Sequence, residues 1–509
     1  MSTSDQGLRR GALGGLDSIV MAVAGSAPAY SIAATTAALI GAAGLVSPAA
    51  LLYCAIPMLG IAWAFNYLGR ADINAGASYS WVARALHPSL GFISGWALVV
   101  SATIFMVIGA LPAGQLTLSL FSDSAANNTA LATLVGAVWF LVMVALVIAG
   151  VTVTAKAQWI MTGIEVALLV LFAVLCFAHA GKGAGADFSW SWFGFGGFGG
   201  VSGFAGAALI AAFYFWGWDV TANLNEETEG RGRKAGVGGL VGVLLVFTLF
   251  EVYTVLTNML LTPKEIDANA ANVLVRLGDI AMPGGGGKIL IIAVMLSTIA
   301  TLETTLIQVS RSLFAMGRDN TLPSAFGRTH PVRQTPVFAT VVVAAVSLVL
   351  FVLSNFVGSV GDILSAAFSA IGLQICVYYG LAALAVVVAY RREVFRSVSN
   401  FVFIGLWPLL GAAFMFWIFV ESIPGLGALE LWIGLGALAA GLIPLGWYWA
   451  KGSAYYRTPA LETFPDPHGA ELMPVEHLEG GSGEGRPLVV PRGSGTPSAQ
   501  PSRDAVEPV

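Results

Sequence analysis

Long apolar runs separated by short polar clusters recur along the chain from about residue 14 to residue 450. A helix that crosses a bilayer needs about 20 predominantly apolar residues. On that measure the pattern predicts twelve spans, at 14–40, 47–68, 90–120, 130–150, 157–180, 203–226, 236–262, 287–315, 336–354, 361–390, 402–421 and 429–450. Gly, Pro, Asn and charged residues mark the breaks between them. Past Lys451 the pattern changes, and residues 458–509, rich in Pro, Gly, Ser and Glu, read as a disordered tail. The predicted fold class is all-α, a polytopic membrane protein.

Two spans are interrupted near their middles. The sixth contains Trp216-Gly217-Trp218-Asp219 where the hydrocarbon midplane falls. Gly relaxes the backbone, and an Asp in lipid costs several kcal/mol unless it faces protein or water. This predicts a helix that ends near Trp216 and restarts near Asp219, with the Asp carboxylate as the new N-cap. The alternative is a continuous helix with Gly217 at a packing contact. The first span carries Gly25-Ser26-Ala27-Pro28. Pro28 removes a backbone donor and disfavours helical geometry at Ala27, so Ala24 to Ala27 are expected to unwind. Pro also suits the first turn of a second half-helix, the alternative being a plain kink. Irregular backbone at membrane depth is tolerated where it lines a cavity, and paired interruptions in corresponding halves point to a transporter's binding site.

Composition agrees with a membrane protein: of 509 residues, 57% are hydrophobic and 10% charged, with a mean hydropathy of +0.81. Soluble domains carry about 25% charged residues. A net charge of −4 argues against a nucleic-acid partner. Cys54, Cys176 and Cys376 are far apart in apolar runs and suggest neither disulfides nor a metal site. The cations divide unevenly between the two sets of connections. Arg70, Arg84, Lys156, Arg231, Arg233, Lys234, Arg311, Arg318, Arg328, Arg333, Arg391, Arg392 and Arg396 fall on one side, with Arg9, Arg10, Lys451 and Arg457 of the termini. Lys182, Lys264, Arg276 and Lys288 fall on the other. Positive residues stay inside, which predicts cytoplasmic termini and a cytoplasmic-membrane location.

Four stretches resemble the amino acid–polyamine–organocation transporter superfamily, in particular bacterial amino acid permeases. They are AGSAPAYS, NAGASYSWVARALHPSLGFISGW at 74–96, FYFWGWDVTANLNEETEG, and RSLFAMGRDNTLP at 311–323. Ala27-Pro28 departs from the commoner Gly-Ser-Gly break. The resemblance implies a core of five-plus-five inverted repeats over 14–390, with broken helices 1 and 6. It leaves residues 1–13 as a cytoplasmic N-terminus, 391–452 as the last two helices and 453–509 as the cytoplasmic tail. It implies a substrate held at mid-membrane by Gly25, Ser26, Ala27 and Pro28 on one side, and by Phe215, Trp216, Gly217, Trp218 and Asp219 on the other. It further implies that Phe213, Trp216 and Trp218 wall the pocket, the alternative being ordinary packing. A half-helix N-terminus supplies N–H donors for a carboxylate, and a half-helix C-terminus supplies carbonyls for an ammonium.

Intramembrane carboxylates are functional candidates by default. Glu165 in span five and Glu303 in span eight stand out. By resemblance spans five and eight frame the place where sodium-coupled relatives hold an ion, and some proton-coupled permeases put a Lys at the position of span five that aligns with Glu165. Glu165 is expected to couple protons with Glu303 as near neighbour; the alternative is a structural acid. Glu251 and Asp17 are weaker candidates, Asp17 as a first-turn acid favoured by the helix dipole. Glu226, Glu227 and Glu229 beside Arg231, Arg233 and Lys234 are expected to form a solvated loop. The expected function is proton-coupled import of an amino acid or close analogue by symport, in a monomer or homodimer, with no cofactor and no metal. Exchange, or uptake of an amine such as a polyamine, is the alternative. A membrane enzyme would need a clustered nucleophile, metal set or nucleotide motif, and the five His are scattered. A sensor would carry an appended folded domain.

Overall fold

The computed structural model describes residues 7–230, 232–270, 272–354, 360–461, 464, 470–472 and 489–491. Arg231 and most of the expected tail lie outside the described residues. Among the described residues the spans are built of helices, two of them interrupted. The elements are α1 (Gly15–Ser26), α2 (Pro28–Ala43), α3 (Ser47–Ala71), the short α4 (Ser78–Ala85), α5 (Pro88–Ser119), α6 (Thr129–Ala149) and α7 (Val151–His179). Then come α8 (Val201–Tyr214), the four-residue α9 (Val220–Asn223), α10 (Arg233–Leu260), α11 (Gly286–Arg318), α12 (Val337–Ser354), α13 (Val360–Ala389), α14 (Trp407–Ser422) and α15 (Leu442–Ala450).

Among the described residues, ten stretches are long and apolar enough to cross a membrane. The expected count was twelve, and the difference lies at the interrupted spans. The first stretch runs unbroken in hydropathy over the 57 residues Gly15–Ala71 and holds α1, α2 and α3. The helical first half of the expected sixth span, Val201–Tyr214, is only 14 residues long.

Burial sorts the helices into an inner and an outer set. The most apolar windows of α5 and α11 are 78% and 72% buried, against 11% for Ala428–Ala450 at the edge of the bundle. Close helix crossings in a membrane rely on small residues, because lipid supplies no hydrophobic drive between helices. Gly238 and Gly242 of α10, one turn apart, lie against Ser18 and Ala22 of α1, so α1 and α10 meet backbone to backbone. Gly114 of α5 and Gly136 of α6 do the same at their own crossing. Prolines sit in the first turns of α2, α3 and α5, where a missing N–H costs nothing.

The chain beyond the last span returns to the bundle over its first described residues. Tyr455 stacks on Tyr79 of α4 at 5.0 Å, and the N–H of Leu461 donates to Arg84 O at 2.8 Å. Phe464 is buried against Tyr390 at the end of α13. The few aromatics in this polar stretch thus find partners on the bundle surface.

Candidate functional site

The first interruption is one residue wide. α1 stays helical through Ser26, so Ala24 to Ser26 do not unwind as expected; only Ala27 leaves the helix, at φ 47 and ψ 60. That left-handed conformation is uncommon for a residue with a Cβ. Pro28 then opens α2, as its fixed φ favours. The second interruption is wider: Phe215 to Asp219 are non-helical between α8 and α9, with Gly217 at φ +100.

The two interruptions touch. A methyl group on Gly217 would lie 2.5 Å from the carbonyl carbon of Gly25 and overlap its oxygen. A methyl on Gly25 would overlap the carbonyl of Gly217 in return. Both positions therefore require glycine, because backbone meets backbone there.

Nearly every donor around Ala27 is engaged. Ala27 N–H turns back to Ala24 O at 3.2 Å, and Pro28 has none. Ala29 N–H donates to Glu165 Oε1 of α7 at 2.9 Å, and Tyr30 N–H to Ser297 Oγ of α11 at 3.2 Å. Ser31 N–H donates to Ala27 O at 2.8 Å. Hydroxyls reach the carbonyls on the other side: Thr301 donates to Gly25 O at 3.0 Å and Ser31 to Ser26 O at 3.0 Å. Ser26 spends its own hydroxyl on Ala22 O, inside α1.

Glu165 thus caps the second half-helix of the first span. Its carboxylate meets the partial positive charge of that N-terminus, a favourable placement for an anion. Glu303, the expected near neighbour, makes its hydrogen bond elsewhere. It accepts from Gln158 Nε2 at 2.6 Å, and Gln158 lies two turns back along α7, about 10 Å at 1.5 Å per residue. Gln158 also donates to Ala300 O, so the second acid belongs to a separate α7–α11 contact. The two oxygens of Glu251 on α10 are buried with no hydrogen-bond partner among the described residues. Asp17 sits in the first turn of α1, as expected, where it accepts from Gly14 N–H and Trp159 Nε1.

Asp219 stands at the N-cap of α9 but makes no capping bond. Its carboxylate points the other way and accepts from Tyr379 Oη at 2.8 Å, Tyr378 Oη at 3.1 Å and Gln308 Nε2 at 2.8 Å. Three donors from α13 and α11 outcompete one local cap. Tyr378 Oη in turn accepts from Trp216 Nε1 at 2.7 Å, which ties the break to α13.

The expected aromatic wall divides. Tyr30, Phe105, Trp216, Phe213 and Phe368 form a run of ring contacts at 6.2, 5.5, 6.3 and 4.7 Å that covers one side of the breaks. Phe215 turns away to Phe247 and Phe250 of α10. Trp218 turns to Phe65 and Tyr379, beside a small cavity that Trp81 and Asn225 also line.

The expected solvated loop after span six divides: Glu229, Arg233 and Lys234 are exposed as expected, Glu226 is half-buried and Glu227 is buried. Glu227 and Arg311 form a bidentate ion pair at 2.9 and 3.1 Å with both side chains at 0% exposure. Glu226 pairs with Arg318 and accepts from Ala75 N–H. Of the three acids Glu229 is the exposed one, and it pairs with Lys234. The N-terminal segment is stitched to the same place, with Ala12 N–H and Leu13 N–H donating to Glu227 O. A buried ionised acid needs compensation, and here Arg311 supplies both the charge and the hydrogen bonds. The sequence offered Arg311 as one basic residue among many, with nothing local to mark it as the partner.

The family model described as "Amino acid permease" matches residues 13–438. The chain belongs to the amino acid permease family. It is a family of permeases, not of enzymes. This permease is 25% identical over 319 residues to the low-affinity putrescine importer PlaP of Escherichia coli, a match covering 59% of this chain and 66% of that one. It is 26% identical over 372 residues to the vacuolar cationic amino acid transporter 8 of Arabidopsis thaliana, covering 70% and 58%. It is 25% identical over 387 residues to a methylthioribose transporter of Bacillus subtilis, covering 72% and 78%. The chain spans less than two thirds of the length of the first two of these relatives.

Proposed function

We propose that this permease is a secondary active transporter of the cytoplasmic membrane that imports an amino acid or close analogue, amines included, together with protons. In this reading twelve spans place both termini in the cytoplasm. The first ten form an inverted-repeat core, and the substrate docks beside the Gly25–Gly217 contact under the aromatic run. The family membership and the transporters it resembles support the class. One observation carries the coupling: Glu165 accepts directly from Ala29 N–H, the first N–H after the first break.

An ionisable group in contact with the hinge of a broken helix links proton occupancy to helix position. An ionised carboxylate makes a charge-assisted bond, roughly twice as strong as a neutral one. Protonation would weaken its hold on Ala29 by about 1 kcal/mol, roughly a fivefold change in the balance between two arrangements of the half-helix. Glu303, held by Gln158 further along α7, is the second acid that could take part.

The test is uptake into vesicles containing purified protein, with a panel of labelled amino acids and amines and an imposed pH gradient. Glu165→Gln keeps an oxygen that accepts from Ala29 N–H but takes no proton. It is expected to retain counterflow exchange and to lose accumulation driven by the pH gradient. Accumulation by the Gln variant with wild-type pH dependence would make Glu165 structural and move the search to Glu303 or sodium.

A further inference from the structure

We infer that Glu165 also sets specificity: it is a built-in carboxylate that occupies a donor an amino acid's carboxylate would need, at a turn whose other donors are already spent, so the substrate is an amine without an α-carboxylate. This inference rests on the site assigned above and narrows what it takes.

The argument starts from an inequality between donors and acceptors. A backbone N–H donates one hydrogen bond, whereas a carbonyl oxygen accepts two. At the first interruption the donors are spent. Ala27 N–H goes to Ala24 O, Pro28 has none, Ala29 N–H goes to Glu165, Tyr30 N–H to Ser297 and Ser31 N–H to Ala27 O. A substrate carboxylate arriving at the opening turn of α2 meets no unused N–H on residues 27–31. It also meets the Glu165 carboxylate in the place it would occupy. The carbonyls are different. Gly25 O and Ser26 O each accept a side-chain hydroxyl, and as the last residues of α1 they lie where helical carbonyls lose their intrahelical partners. Gly25 O is packed against Gly217, but a second lone pair on Ser26 O can still receive an ammonium hydrogen.

The charges around the breaks favour the same sign of ligand. Glu165, Asp219, Glu251 and Glu303 all lie within the spans, and three of them are at 0% exposure. The Lys and Arg residues of the described spans lie towards helix ends, and the fully buried one, Arg311, is paired with Glu227. A carboxylate moved to mid-membrane would therefore be desolvated among acids with no cation to meet it. An ammonium would find carbonyls, acids and the ring faces of Trp216, Phe105 and Tyr30, which attract cations.

The experiment uses the full chain in reconstituted vesicles and compares amines with the amino acids that share their side chains: 1,4-diaminobutane with ornithine, 1,5-diaminopentane with lysine, 2-phenylethylamine with phenylalanine, and ethanolamine with serine. Counterflow of at least one amine should exceed that of its carboxylated parent by tenfold or more in kcat/KM. Preference for the parent amino acid in every transported pair overturns the inference while leaving the transporter reading intact. Movement of no member of any pair overturns both. Glu165→Ala frees Ala29 N–H and removes the internal charge, so the parent amino acid should then compete with the amine at least tenfold better than in the wild type. An Ala variant that inserts and binds with unchanged preference removes Glu165 from the account of specificity. The wild-type comparison stands whether or not that variant inserts.

Discussion

Replacing Gly217 with alanine tests whether the contact between the two interruptions is the hinge of the site. Gly217 has φ +100, a conformation that costs a residue with a Cβ of order 1–3 kcal/mol. The new methyl would lie 2.5 Å from the carbonyl carbon of Gly25, where ordinary carbon contacts are about 3.5–4.0 Å. The two breaks must therefore separate by about 1 Å, and forced overpacking of this kind costs roughly 1–3 kcal/mol more. Separation would also disturb Thr301 on Gly25 O and, through Ala27 and Pro28, Glu165 on Ala29 N–H. Gly206→Ala is the matched control: it lies in α8 with nothing within 4 Å of its Cβ, and a helical Gly→Ala change gains about 0.5–1 kcal/mol. Thermal unfolding in detergent, followed by fluorescence-detected size exclusion, should show Gly217→Ala less stable than wild type and Gly206→Ala at least as stable. Uptake by vesicles should fall only in the first. A Gly217→Ala protein with the wild-type melting temperature and KM would refute the claim that the breaks bear on one another.

Three further outcomes follow from the same geometry. Glu227→Gln leaves Arg311 charged and unpaired in a fully buried place, and should cost about 3–5 kcal/mol in detergent unfolding, whereas replacing both partners with apolar residues should recover much of that. Tyr379→Phe removes the 2.8 Å bond to Asp219 and should lower stability by about 1–3 kcal/mol; no change would place the role of Asp219 outside this cluster. Single cysteines at the exposed Ser124 and Ser397 should label from opposite sides of sealed cells, Ser124 from outside, because the native Cys54, Cys176 and Cys376 are buried and contribute no background.

How legible the site was depended on whether each residue's role is local. Pro28 and Gly217 announced themselves because a missing N–H and a missing Cβ act on their own stretch of backbone, whatever surrounds them. The partners did not. Asp219 reads as a cap from its place before α9, yet Tyr378, Tyr379 and Gln308, 89 to 160 residues away, hold it elsewhere. Glu226 and Glu227 read as a solvated loop beside nearby cations, yet they pair with Arg318 and Arg311 across 92 and 84 residues. Phe215 and Trp216 are adjacent, but the irregular backbone between α8 and α9 sends one ring to α10 and the other to α5.

The sequence by itself determined that this is an all-helical membrane protein with interruptions in its first and sixth spans. Hydropathy is a sum over some twenty consecutive residues, and backbone defects are properties of single ones. It also pointed to Glu165 as an acid that needs a reason to be there. Only the tertiary structure decided that Glu165 caps the second half-helix, that Glu303 belongs to Gln158, and that Gly25 and Gly217 lie in contact. Those facts depend on how each helix is rotated about its axis and how closely it approaches its neighbours. Small-residue crossings such as Gly238 on Ser18 set that arrangement collectively, and no window along one chain segment contains both sides of such a contact.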